Sequence, residues 1–140
     1  MSQVHPNSFV SRIKQMNETF DLPSNDTLTD QGPDRIGKFY EVLSEEIEEI
    51  WDVHSETDPA SCNYVALADL LADITVYVFS EARRWGIPIV DVLHAVMDSQ
   101  DSKLVDGKAL MAEDGSKFIK GPDYIPPEAK IAEILERYKA

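Results

Sequence analysis

Apolar residues recur along this chain at intervals of three and four, the spacing that lines one face of an α-helix. Phe9, Ile13, Met16 and Phe20 trace such a face over about Ser8 to Phe20, and Leu22-Pro23-Ser24-Asn25-Asp26 ends it. After a polar loop through Pro33, the residues Ile36, Phe39, Tyr40, Leu43, Ile47, Ile50 and Trp51 predict a long second helix over about Asp34 to Val53. The stretch from His54 to Pro59 reads as a connector, with Ser61 as the cap of a third helix running to about Trp85. That helix is apolar on nearly every side (Val65, Leu67, Leu70, Leu71, Ile74, Val76, Tyr77, Val78, Phe79), as a buried helix would be.

Gly86 closes the third helix, and Pro88 suits the first turn of a fourth that carries Ile89, Val92, Leu93 and Val96 to about Ser102. The pattern then changes. Asp106-Gly107 and Asp114-Gly115 mark turns, the second between short runs that can pair as a hairpin. Pro126-Pro127 opens a last short helix ending near Tyr138. The expected fold is all-α: a four-helix up-and-down bundle, a short C-terminal β-hairpin or loop segment, and a terminal helix.

With 140 residues, 43% of them hydrophobic, the chain can bury one core, so 1–140 is read as a single domain. Twenty-six acidic residues against thirteen basic ones give a net charge of −13, which disfavours nucleic acid and anionic membranes as partners. An anionic substrate would then need a cation to mediate its binding. Cys62 is the only cysteine and is read as a packing residue, so no intrachain disulfide forms; no signal peptide or bilayer-length apolar run is evident, and a cytoplasmic location is expected. His5, His54 and His94 are scattered and suggest no zinc site.

The acidic residues are where chemistry concentrates. At about 100° per residue, Glu46 and Glu49 share one flank of the second helix, with Glu46 at the edge of the apolar stripe, while Glu48 meets water. A glutamate run alone is usually a solvated face. Asp69 and Asp73, however, sit one turn apart within the apolar third helix, and no Lys or Arg lies between Asn63 and Ala82. Two buried carboxylates on one face need a cation or basic partners. Glu46, Glu49, Asp69 and Asp73 are therefore the candidate ligands of a hard cation, and all-oxygen ligation suits Mg²⁺ or Mn²⁺.

Glu45-Glu46-Ile47-Glu48-Glu49, followed by Asp69-Leu70-Leu71-Ala72-Asp73, resembles the EExxE and (E/D)xx(x)D signature of the MazG-like and phosphoribosyl-ATP pyrophosphohydrolase-like superfamily. Asp106-Gly107-Lys108, Glu113-Asp114-Gly115, the run from Lys120 to Tyr124 and Pro126-Pro127 resemble the tail of one subgroup, and Phe20-Asp21-Leu22-Pro23 its N-terminal part. The resemblance implies that Glu46, Glu49, Asp69 and Asp73 bind Mg²⁺ and that a nucleoside triphosphate is split between its α and β phosphates. Glu45 would ligate a second metal or take the proton from water. Gln100, Lys103, Lys120 and Tyr124 would contact the substrate, Lys103 near the phosphates.

Two positions depart from that pattern: Leu70 stands where many relatives carry an acid, and Gln100 where an N-x-x-K pattern has Asn. A phosphoribosyl-ATP hydrolase and a catalytically idle nucleotide- or metal-binding module are the alternatives. The crowded apolar surface of the third helix further predicts a homodimer or tetramer.

Overall fold

The computed structural model describes residues 6–56 and 61–140, with side chains from Ser8 to Ser55 and from Ser61 onward. It contains five helices: α1 (Pro6–Thr19), α2 (Pro33–Glu56), α3 (Tyr64–Trp85), α4 (Ile89–Asp101) and α5 (Glu128–Glu136). There is no strand among the described residues, so the protein is all-α. His5 and the Thr57–Pro59 part of the expected connector lie outside those residues; His54 belongs to α2. No described helix is long and apolar enough to cross a membrane.

The chain divides into two compact units, one up to Ile87 together with Ala140, the other from Pro88 to Lys139. In the first, α3 packs against both α1 and α2. Pro33 opens α2, where its missing N–H costs nothing, and Asp34 complements the positive end of the helix dipole. Asn63, rather than Ser61, caps α3: its Oδ1 accepts from the Ala66 N–H at 3.1 Å. Gly86 ends α3 in the left-handed conformation at φ 70°, and a side chain there would run into the Thr27 carbonyl.

The exposed carbonyls at the end of α3 are taken up by the segment between α1 and α2. Asn25 donates to Arg83 and Arg84 through its backbone and side-chain nitrogens at 2.9 and 2.7 Å, and Thr29 N–H donates to Trp85 at 2.9 Å. Asn17, 0% exposed, donates to the carbonyls of Pro23 and Ser80 and accepts from the Ser80 hydroxyl at 2.7 Å. The Phe20-to-Pro23 motif is thus a turn anchored on a buried amide.

The face of α2 that packs differs from the stripe read off the sequence. Arg35, Phe39, Val42, Leu43 and Glu46 are buried or half-buried, while Ile36, Tyr40, Ile47, Ile50 and Trp51 are exposed. Glu46 therefore lies within the packed face, not at its edge. Likewise α3 is not covered all round, for Tyr64, Val65, Leu71 and Tyr77 are exposed, Val65 by 82%.

In the second unit α4 packs against α5. Ser99 on α4 and Ser102 at its C-cap hold the chain ahead of α5: the Ser99 hydroxyl donates to the Ile125 carbonyl at 2.7 Å, and Ser102 Oγ accepts the Ile125 N–H at 2.9 Å. Between the helices, Val105 with Lys108 and Met111 with Phe118 make isolated antiparallel bridges. Asp106, Gly107 and Gly115 take positive φ at the expected turns.

Candidate metal centre

Arg35 and Glu81 set how α2 lies on α3. The Arg35 Nε and Nη2 atoms donate to Glu81 Oε1 and Oε2, the shortest contact being 2.6 Å, and Trp85 Nε1 donates to Glu81 Oε2 at 2.7 Å. Farther along α2 and back along α3, Glu46, Glu49 and Asp73 come together. One carboxylate oxygen from each lies within 4.8 Å of the others.

The burial of the three is graded: Glu46 is buried, Asp73 half-buried and Glu49 exposed. Glu46 retains only 8% of its exposure, and its Oε2 has no hydrogen-bond partner among the described residues. A buried oxygen without a donor is costly. Burial raises the Glu46 carboxyl above the usual carboxylate range, and the charges of Glu49, Asp73 and Glu45, with a hydrogen bond to Glu49, push the same way. The three residues fit a hard divalent cation: all donors are carboxylate oxygens, one is buried and unpartnered, and an exposed side remains for water and ligand.

Glu45 is exposed and lies close enough for its charge to act on Glu46. Asp69 is exposed on α3, one turn before Asp73, and is not among the three clustered carboxylates. Leu70 takes the inward position at that level and is buried at 5% exposure.

Tyr77 completes the surroundings. Burial raises its phenol, and Glu46, Asp73, Glu45 and Glu49 each raise it further. Read from sequence, Tyr77 is a core or interface residue; the available signal was its place one turn after Asp73, on the same helix face.

The remaining sequence-derived candidates belong to the second unit. Gln100 is exposed near the end of α4, Lys103 is half-buried just beyond it, Lys120 is exposed, and Tyr124 is half-buried. Lys103 Nζ stands 6.0 Å and Lys120 Nζ 4.9 Å from the centre of the Tyr124 ring. Gln100 and Lys103 also line a cavity of about 300 Å³ with Asp101, Leu104, Ala109, Phe118 and Ile119.

Compared with protein-family models and with curated proteins, the chain matches none.

Proposed function

We propose that this protein is a Mg²⁺-dependent nucleoside triphosphate pyrophosphohydrolase, cleaving between the α and β phosphates to give a nucleoside or deoxynucleoside monophosphate and pyrophosphate. The observation that carries this reading is the buried, unpartnered Glu46 oxygen beside Glu49 and Asp73. The EExxE and DxxxD resemblance adds the reaction class.

Glu46, Glu49 and Asp73 would hold the cation, with Asp69 as a further ligand from the same helix and Mn²⁺ as a substitute for Mg²⁺. The ion supplies neutralisation of phosphate charge and acidification of water. Glu45, exposed at the rim, takes the proton from the attacking water. Gln100, Lys103, Lys120 and Tyr124 are the substrate contacts that the resemblance adds, Lys103 at the phosphates. No nucleophilic Ser or Cys is required, because the protein's task is positioning and charge neutralisation.

The fold that accompanies this reading is a four-helix bundle followed by a short hairpin and the terminal helix, in a cytoplasmic homodimer or tetramer. The second apolar stripe of α2 (Ile36, Tyr40, Ile47, Trp51) and the uncovered Val65 and Leu71 of α3 support self-association.

The test is pyrophosphate release from a panel of ribo- and deoxyribonucleoside triphosphates with and without Mg²⁺, in the native chain and in Glu49→Ala and Asp73→Ala. Release that requires the metal and drops by about 10² or more in both variants is expected, the scale of losing charge stabilisation in a transition state. No release from any nucleotide, together with Mg²⁺-dependent thermal protection, would identify a binding module instead.

A further inference from the structure

We propose that Asp106-Gly107 is a site of spontaneous backbone isomerisation, at which the Gly107 amide nitrogen attacks the Asp106 carboxyl and the chain is rerouted through the aspartate side chain. The inference goes beyond the pyrophosphohydrolase reading and does not depend on it.

Such a step needs a carboxyl free to act as electrophile and a following backbone amide free to act as nucleophile. Glycine suits the second position because a side chain there would crowd the attack. The sequence offers two such pairs, Asp106-Gly107 and Asp114-Gly115. All four residues are exposed, and nothing lies within 4 Å of where a Cβ would stand on either glycine. The pairs are alike in sequence and in access to water; their hydrogen bonds separate them.

At the second pair both reacting groups are held. Asp114 Oδ1 accepts the Ser116 N–H at 3.0 Å and the Ser116 hydroxyl at 2.6 Å, and the Gly115 N–H donates to the Ala112 carbonyl at 2.8 Å. The hydrogen bonds from Ser116 also hold the Asp114 carboxyl below its ordinary range, so less of it carries the proton that must leave with water. At Asp106-Gly107 neither the carboxylate nor the glycine N–H has a hydrogen-bond partner among the described residues.

The first turn is also the easier one to open. Asp106 stands at φ 51°, the left-handed region that a side chain disfavours, whereas Asp114 is not among the positive-φ residues. Two hydrogen bonds close the turn, from Val105 N–H to the Lys108 carbonyl at 2.8 Å and from Lys108 N–H to the Val105 carbonyl at 3.0 Å. They form an isolated bridge with no strand beyond it, so local opening breaks little else.

In the opened turn the Gly107 nitrogen bonds to Cγ of Asp106, and the carboxyl hydroxyl leaves as water with the amide proton, giving a cyclic succinimide. Water then adds at the former backbone carbonyl, the bond from that carbon to the Gly107 nitrogen breaks, and the nitrogen regains its proton. Water is the only co-reactant. The isoaspartyl product has the original mass and charge and one more methylene in the backbone. That methylene cannot keep Val105 in register with Lys108, and it falls close to the Lys103 and Leu104 carbonyls on which Gly121 packs.

The test is to age the full chain in neutral buffer, one sample folded and one unfolded in urea, and to map the tryptic peptides. Trypsin releases residues 104–108 and 109–117 separately, each with a single aspartate. Isoaspartate is read as a retention shift at unchanged mass and as methyl transfer to the peptide by an isoaspartyl methyltransferase. In the folded chain, conversion in 104–108 should run roughly tenfold faster than in 109–117, the rate equivalent of one hydrogen bond kept at the second turn. In urea the two rates should converge. Ser116→Ala should speed conversion in 109–117 of the folded chain and leave 104–108 unchanged. No conversion in 104–108 of the folded chain, or equal or greater conversion in 109–117, overturns the proposal. An unchanged 109–117 peptide in Ser116→Ala overturns the account of why the second turn is spared.

Discussion

Arg35 grips Glu81 with two nitrogens, and this pair fixes the register at which Glu46 of α2 meets Asp73 of α3. Both side chains are largely buried, and Glu81 is also the acceptor for Trp85 and the nearest carboxylate to Arg84. Burial and the nearby Arg35 charge lower the Arg84 guanidinium below its usual range, an effect that Glu81 opposes. Glu81 thus serves two guanidinium groups with a single negative charge.

Removing that carboxylate leaves two arginines without their counter-ion. Glu81→Gln should destabilise the fold by about 3–5 kcal/mol, the scale for breaking a buried ion pair from one side. Arg35→Met, which removes a charge and keeps the apolar stem, should cost less. Denaturant midpoints of the two variants check the order, and equal, small losses would show that the pair does not hold the two helices in register.

The Asn17 amide predicts a second stability effect. Asn17→Ala removes the partner of the Ser80 hydroxyl and of the Pro23 carbonyl, and the extra donor to the Ser80 carbonyl, in the interior of the first unit. The expected loss is about 2–3 kcal/mol, the penalty of stranding buried polar groups. Ser80→Ala, which removes one donor and strands less, should fall below it in the same thermal or denaturant measurement.

Metal-free stability should depend on pH through Glu46. Its carboxyl is raised by burial first, then by Glu49 and Asp73. A group raised in the folded state contributes stability that is complete below its unfolded pKa and is lost as pH climbs through the folded value. In EDTA the melting midpoint should therefore fall as pH rises above the ordinary carboxylate range. Glu46→Gln should flatten that part of the curve and melt higher than the native chain at pH 7.

Mg²⁺ should reverse the order. A cation at Glu46, Glu49 and Asp73 stabilises the folded chain by mass action, by about 2.7 kcal/mol at one hundred times its dissociation constant. Glu46→Gln should lose most of that gain. A Mg²⁺-induced shift of equal size in both proteins would place the ion elsewhere.

Self-association is checked by mass in solution. Light scattering should give a dimer or tetramer for the native chain. Tyr40→Glu and Val65→Glu, which put charge on exposed apolar positions of α2 and α3, should shift it toward monomer. A native monomer at micromolar concentration would sink the oligomer.

The helices themselves were legible in the sequence, because their hydrogen bonds and side-chain periodicity are local. The Phe9-to-Phe20 spacing announces α1, Gly86 ends α3, and the Asp-Gly pairs sit where φ turns positive. The helical repeat also implied that Glu46 and Glu49 share a flank and that Asp73 belongs to an apolar helix.

Other features depended on contacts between residues far apart in the chain. Periodicity centred the packed stripe of α2 on Leu43, Ile47 and Ile50, yet tertiary packing leaves Ile47 and Ile50 exposed and buries Glu46 beside the half-buried Phe39 and Leu43, with Arg35 held by Glu81 from 46 residues away. An apolar stripe is equally suited to any apolar partner, so its period does not say which of two stripes a neighbouring helix covers. The same holds for Asp69 and Asp73: their spacing puts both on one side of α3, while the approach of α2 joins Asp73 alone to Glu46 and Glu49. Sequence determined which side chains each helix offers; only the tertiary structure decided which of them meet, because that choice rests on packing and desolvation summed over the interfaces between helices.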